Sequence, residues 1–280
     1  MEILNMNYQY DVTILIPGIR TNRWENLYNS LYLACKKYKW QLLLISPFDL
    51  PTELIDKSNI KIIKDYGNVN RCVQLGILQC NAPLFFLTVD DCVFAEDSLD
   101  LAIDLYQKQC SDIDVICMRY GEGGNLMAES YWYAYNSDNL RLPGIPKNYK
   151  TANQCLMKVE TFKKMGGLDC INFEYLDRPI HDFMFRLQKA GGQIYFSPTH
   201  VCIATWYETT TGDHAPIHHG GMKDLNMFTS MYIDPNILDK RLILDYDNWK
   251  QSPAIWTRRF GDKQLASSYE ELCKQMDYKV

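Results

Sequence analysis

The amino-acid sequence predicts an α/β fold, a mostly parallel sheet with helices on both faces. Two observations carry this. Short, almost continuously apolar runs alternate with longer stretches whose apolar residues recur at helical spacing. Strands buried on both faces of a parallel sheet read as such unbroken runs, not as alternating ones. The 280 residues suit one large α/β domain with a C-terminal extension, and 47% of them are apolar or aromatic, enough for a sizeable core.

The elements follow in order. "DVTILIP" (11–17) is a buried strand stopped by Pro-Gly, and "NLYNSLYLACKKY" (26–38) is a helix. "WQLLLIS" (40–46) and "NIKIIKD" (59–65) are strands, "NRCVQLGILQCN" (70–81) a helix, and "PLFFLTV" (83–89) a strand. "DSLDLAIDLYQKQ" (97–109) is a helix and "DVICM" (114–118) a strand. From Tyr120 a long loop rich in glycine and aromatics follows, and long loops inside compact domains usually serve function. A strand-then-helix segment resumes at 154–167, a helix at 181–192 is stopped by a glycine pair, and "QIYFSP" is a short strand. No motif is legible in the last sixty or so residues.

Composition excludes several classes. A net charge of −5 argues against a nucleic-acid backbone as partner. The start lacks the basic and apolar regions of a signal peptide, and no apolar stretch approaches membrane-spanning length, so a cytoplasmic location is expected. The ten cysteines show no Cys-x-x-Cys spacing and lie mostly in apolar runs, which reads as reduced core thiols.

The first chemistry-bearing residues sit at a predicted strand end. Asp90 and Asp91 close the strand in "FFLTVDDCVF". Two adjacent carboxylates beside a buried strand need a cation, and ligands of such sheets bind beyond the carboxyl ends of strands. Hard oxygen donors suit a divalent metal that also holds phosphates; the structural alternative is a helix cap or solvated acids. All five histidines fall between His181 and His219. Of these His214, in "GDHAPIHHGG", is the leading third ligand for a Mn²⁺-like ion, ahead of His218 and His219, with His200 the weakest. Asp182 reads either as an N-cap or as a general base facing the ligand edge. Tyr131, Trp132, Tyr133 and Tyr135 offer flat faces for a sugar or pack the side of the domain.

The order and spacing of "VTILIP", "GNVNRCVQLGI", "FFLTVDDCVF" and "HDFMFRLQKAGG" resemble the GT-A glycosyltransferases, family 2 in particular, over the first two hundred or so residues. The resemblance implies a catalytic core over 1–200, with a nucleotide-sugar half to about 118 and an acceptor half from about 119. Residues 201–280 would then be an extension closing the site. It implies a nucleotide-sugar donor, usually a UDP-sugar, a Mn²⁺ or Mg²⁺ ion on the diphosphate, a hydroxyl acceptor such as a glycan, and inversion at the anomeric carbon. Carried over, Asp91 and Asp90 meet the metal, Asp90 also the ribose-diphosphate, and Pro17, Gly18, Arg20, Ser46 and Arg71 lie along the nucleotide. Thr88 stands in the place of the first acid of the Asp-x-Asp signature, and Asp182 in that of the base. Two alternatives stay open: a non-catalytic nucleotide-sugar or glycan-binding module on the same fold, and a sugar nucleotidyltransferase. The single glycine of "PGIRTNRW" fits the latter poorly.

Overall fold

The computed structural model describes residues 8–65, 68–122, 125–136, 140–204, 215–251, 259–260 and 263–264. Only the backbone is described at 136, 199–202, 204, 215–220 and the last two pairs. The strands of the main sheet are β1 (Val12–Pro17), β2 (Trp40–Ser46), β3 (Ile60–Lys64), β4 (Leu84–Leu87), β5 (Cys92–Phe94), β6 (Val115–Glu122), β7 (Asn125–Leu126), β8 (Cys155–Lys158) and β9 (Ile194–Ala204). The helices are α1 (Thr21–Ala34), α2 (Val69–Leu78), α3 (Ser98–Gln109), α4 (Val159–Lys164), α5 (Asp177–Lys189), α6 (Ala215–Tyr232) and α7 (Ile237–Lys240).

The strands pair in the order β3-β2-β1-β4-β8-β6-β9-β5, with β7 on β6. Strands β1, β2, β3, β4, β6 and β9 run one way, while β8, β5 and β7 run against them. This is the mostly parallel, helix-flanked α/β architecture expected from the sequence. The antiparallel strands are what apolar pattern cannot reveal, because a buried strand looks the same in either direction.

The parallel strands put the ends of β1, β2, β3, β4, β6 and β9 along one edge. Helix α5 returns from that edge to the start of β9, so its first residue, Asp177, lies at the same edge. Helix α5 begins at Asp177, four residues before the expected start, so Asp182 lies in its second turn and is not the N-cap. Pro179 explains the shift: in a first turn the backbone N–H has no partner anyway, so proline is accommodated there and does not mark a break.

The sheet and its helices share one large core that includes Trp24, Phe85, Phe86, Phe162 and Phe183. A second cluster joins Phe173, Phe185, Phe228, Tyr232 and Leu238, which docks α6 and α7 onto α5. Helix α2 lies close on β1 and β2 because Gly76 has no side chain. A Cβ there would stand 2.7 Å from Ile45 Cδ1 and 2.8 Å from Leu15 Cδ1.

Candidate active site at the carboxyl edge of the sheet

The turn from β1 into α1 and the end of β4 meet at the acid pair. Gly18 is buried against Asp90, where a Cβ would stand 3.2 Å from Asp90 Cβ and 3.1 Å from Trp24 Nε1. Asp90 Oδ2 accepts the backbone N–H groups of Ile19 and Arg20, each at 2.7 Å. Its Oδ1 accepts Arg20 Nε at 2.7 Å and Nη2 at 2.5 Å, and the same Nη2 reaches Asp91 Oδ1 at 3.1 Å. The side chains of Asp90 and Asp91 are only 2% and 5% exposed, so this pairing is what makes two adjacent buried carboxylates tolerable. At this strand end the guanidinium of Arg20 pairs with both acids.

The expected Mn²⁺ or Mg²⁺ seat fits poorly. Both oxygens of Asp90 are engaged, Asp91 shares the same guanidinium, and the hydroxyl of buried Thr88 is bonded to Gln154. Among the described residues no group of three or more His, Cys, Asp or Glu could hold a metal ion. The proposed third ligand, His214, lies outside the described residues. His218 and His219 are on α6 and His200 on β9, with backbone alone described.

The remaining expected nucleotide contacts line the neighbouring strand ends. Pro17 closes β1 and buried Ser46 closes β2, its hydroxyl accepting the Phe48 backbone N–H at 3.1 Å. Arg71 stands in the first turn of α2, with its Nε 3.2 Å from Asp65 Oδ1 and its guanidinium over the Trp249 ring. Asn68 caps this helix by accepting the Arg71 N–H at 2.9 Å. Its Nδ2 is buried without a hydrogen-bond partner, as are both amide atoms of Asn70. Asp65, Asn68 and Asn70 were missed from sequence, although the run "KDYGNVN" after a strand was a visible signal.

Asp182 differs from what a base requires. Its side chain is fully buried. Oδ2 accepts Arg186 Nε at 2.8 Å, while Oδ1 accepts the Tyr232 hydroxyl at 2.9 Å and pairs with Arg241 Nη2 at 3.0 Å. Burial alone pushes its carboxyl up, but the two guanidinium groups and the hydrogen bonds outweigh this and hold it below the usual carboxylate range. A proton acceptor must be reachable, and this carboxylate is closed off on both oxygens.

Other carboxylates stand at the edge. Asp177, at the start of α5, has 55% of its side chain exposed and pairs with Arg178 at 3.0 Å. Glu122 ends β6, and its half-burial pushes its carboxyl upward. The register aligns Cys92 and Glu122 on either side of Ala204. Cys92, which follows the acid pair, and Glu122 are therefore about 10 Å apart, two strand spacings. Tyr131 lies in the field of both Glu122 and Asp177 and is 47% exposed. Trp132 of the same aromatic run is fully buried against Tyr120 and Phe196, so the run divides between packing and surface.

No family model matches the sequence, and no curated protein matches it. Solved structures of the GT-A fold do resemble it. The S. aureus TarS 1–349 fragment in complex with UDP-GlcNAc aligns over 86% of this chain and 73% of that one, with 13% identity and a TM-score of 0.53. GalNAc-T7 with UDP, GalNAc and Mn²⁺ aligns over 71% of this chain with 12% identity and a TM-score of 0.53. The chain spans 60% of the length of another TarS 1–349 structure and 44% of GalNAc-T7.

Proposed function

We propose that the chain is an inverting glycosyltransferase that moves a sugar from a nucleotide-diphosphate donor, of UDP-sugar type, to a hydroxyl of a glycan. The observation that supports this most is the convergence of Gly18, Arg20, Asp90 and Asp91 where β1 and β4 end, with Ser46 and Arg71 beyond the ends of the neighbouring strands. All follow or flank strands that end along one sheet edge, where doubly wound folds bind nucleotides. The resemblance in fold to proteins whose structures hold UDP-GlcNAc, or UDP and GalNAc, favours the same ligand class. In this reading Pro17, Gly18, Ser46 and Arg71 flank the nucleoside, and residues beyond β9 form an extension over the site.

Transfer is one displacement. The acceptor oxygen bonds to the anomeric carbon as the bond from that carbon to the diphosphate breaks, and the electron pair leaves on the nucleoside diphosphate. The acceptor proton passes to a carboxylate. With Asp182 enclosed, we assign that role to Asp177, the carboxylate of α5 that solvent reaches at the ligand edge. Glu122 and Tyr131 beside it form the acceptor's polar and aromatic flank.

The test is release of nucleoside diphosphate from UDP-sugars in the presence of candidate glycan acceptors. A binding module would bind the UDP-sugar and release no UDP, and a nucleotidyltransferase would release none either but would form pyrophosphate when given UTP and a sugar 1-phosphate. Asp177→Asn is expected to lower the transfer rate by about 10²–10⁴ with UDP affinity retained. A variant within a few-fold of the parent would exclude Asp177 as the base, and an equal loss in Glu122→Gln alone would move the role there.

A further inference from the structure

Asp90 and Asp91 form the feature that most suggests a divalent metal from sequence, and their contacts argue for another occupant. The seat is already charged: Arg20 Nε and Nη2 reach Asp90 Oδ1 at 2.7 and 2.5 Å, and Nη2 reaches Asp91 Oδ1 at 3.1 Å. The second oxygen of Asp90 is taken by two backbone N–H groups, one of them Arg20's own. Backbone and side chain of Arg20 are thus bonded to the same carboxylate. Its side chain is 11% exposed, which makes it part of the turn's packing and not a surface arm. Thr88 contributes no third oxygen, since its hydroxyl is buried on Gln154. A divalent ion entering here would meet a fixed positive charge bonded to both of its ligands.

We propose that Arg20 is the permanent counter-cation of the acid pair and closes it to divalent metal. The acid pair then acts by fixing the β1–α1 turn, and Gly18 and Ile19 with it, at the ligand edge. That the ligand is a nucleoside diphosphate rests on the function proposed above, and it follows that this ligand binds without metal.

Two titrations separate the claims. The first uses Mn²⁺ alone, following free Mn²⁺ by electron paramagnetic resonance with the whole chain. The wild type is expected to bind Mn²⁺ at least about tenfold more weakly than Arg20→Gln, with Arg20→Lys resembling the wild type because the charge stays. Equal Mn²⁺ binding by the wild type and Arg20→Gln overturns the proposal. If Arg20→Gln does not fold, Arg20→Lys and the wild type decide. Mn²⁺ taken up by the wild type as tightly as by metal-dependent nucleotide sites, in the micromolar range, overturns it, and its absence supports it. The second titrates UDP by calorimetry in EDTA and in Mn²⁺. Affinities within twofold of each other support the metal-free reading, and an increase of about tenfold with Mn²⁺ overturns it. No UDP binding in either buffer would count against the nucleotide reading itself, while the Mn²⁺ titration still judges Arg20.

Discussion

At the scale of the residue, Asp182 shows how the surroundings of a carboxylate depend on parts of the chain remote in sequence. Its spacing from Arg186, four residues on along a helix, was readable in "DFMFR" and is the pattern of an intrahelical ion pair. Its other partners, Tyr232 and Arg241, come from the far end of the chain and carry no sequence signal. Asp182→Asn removes the charge that balances two buried guanidinium groups. It is expected to cost roughly 3–5 kcal/mol in urea denaturation, far above a lost cap. A loss under about 1 kcal/mol would show that the network tolerates an uncharged centre. His181 gives a pH test. Burial holds its imidazole down at about 4, against an ordinary 6.5, beside Arg178 and Asp177. Between those values the unfolded chain binds more protons, so this residue's contribution is fully present above pH 6.5 and is lost as pH falls toward 4. The loss is roughly 3 kcal/mol. Asp224, pushed up to about 6 by burial, works in the opposite sense below pH 6, so the wild-type curve alone would conceal the effect. The difference between wild type and His181→Phe isolates it: the variant is expected to gain on the wild type by about that amount as pH drops from 7 to 4. A difference that stays flat over this range would mean that His181 is not kept neutral by the fold.

At the scale of the element, the strands were legible because burial on both faces writes an unbroken apolar run. β1 and β2 were expected at 11–17 and 40–46 and are found at Val12–Pro17 and Trp40–Ser46. Helix starts were less legible. α1 begins at Thr21, five residues before its first strongly apolar stretch, and α5 begins before its proline. β5 was not seen at all, because three residues pairing with β9 need no pattern of their own. The same limit applies to the site. The acid pair, Arg20 and Gly18 were visible as residues, but that Arg20 folds back onto the acids depends on the turn between β1 and α1. The packing of α2 gives a sharp test of the element scale. A methyl group on Gly76 would press on the tips of the buried Leu15 and Ile45 side chains, which must shift to admit it. Gly76→Ala would gain helix propensity of about 1 kcal/mol, yet overpacking at such a contact costs about 1–3 kcal/mol. Net destabilisation is expected, measured as a lower urea midpoint with unchanged slope. A raised midpoint would show that β1 and α2 can part without cost.

At the scale of the whole molecule, the C-terminal part is bonded into the core and does not merely follow it. Tyr246 donates to the Gln74 carbonyl at 2.7 Å, and Gln74 Nε2 donates back to the Tyr246 carbonyl at 2.9 Å. Asn248 accepts the Cys170 N–H at 2.9 Å, and the Leu244 N–H donates to Met165 at 3.2 Å. Arg241 spans Asp169 and Asp182 at 2.8 and 3.0 Å. Gly166, with a φ of +81°, admits this segment, since a Cβ there would stand 2.0 Å from the Leu244 carbonyl oxygen. Gln74 lies on α2, the helix whose first turn carries Asn70 and Arg71, and Asp182 lies on α5, the helix that begins with Asp177. The segment after α7 thus clamps both helices that present the candidate site. None of this was readable in the sequence, because each contact pairs residues with no shared periodicity and a large separation. Truncation after residue 236 would leave Asp182 without Arg241 and Gln74 without Tyr246. Uncovering one buried charge costs about 3–5 kcal/mol, and each kcal/mol lowers Tm by roughly 2–4 °C in a domain of this size. A fall in Tm of about 10 °C or more is therefore expected, with weaker UDP binding as α2 and α5 loosen. The control is Arg241→Met in the whole chain, which removes the charge and keeps the other contacts, and it is expected to reproduce a large part of the fall. A truncated chain that melts within about 2 °C of the whole one would make the segment a passive cover and return the placing of α2 and α5 to the sheet alone.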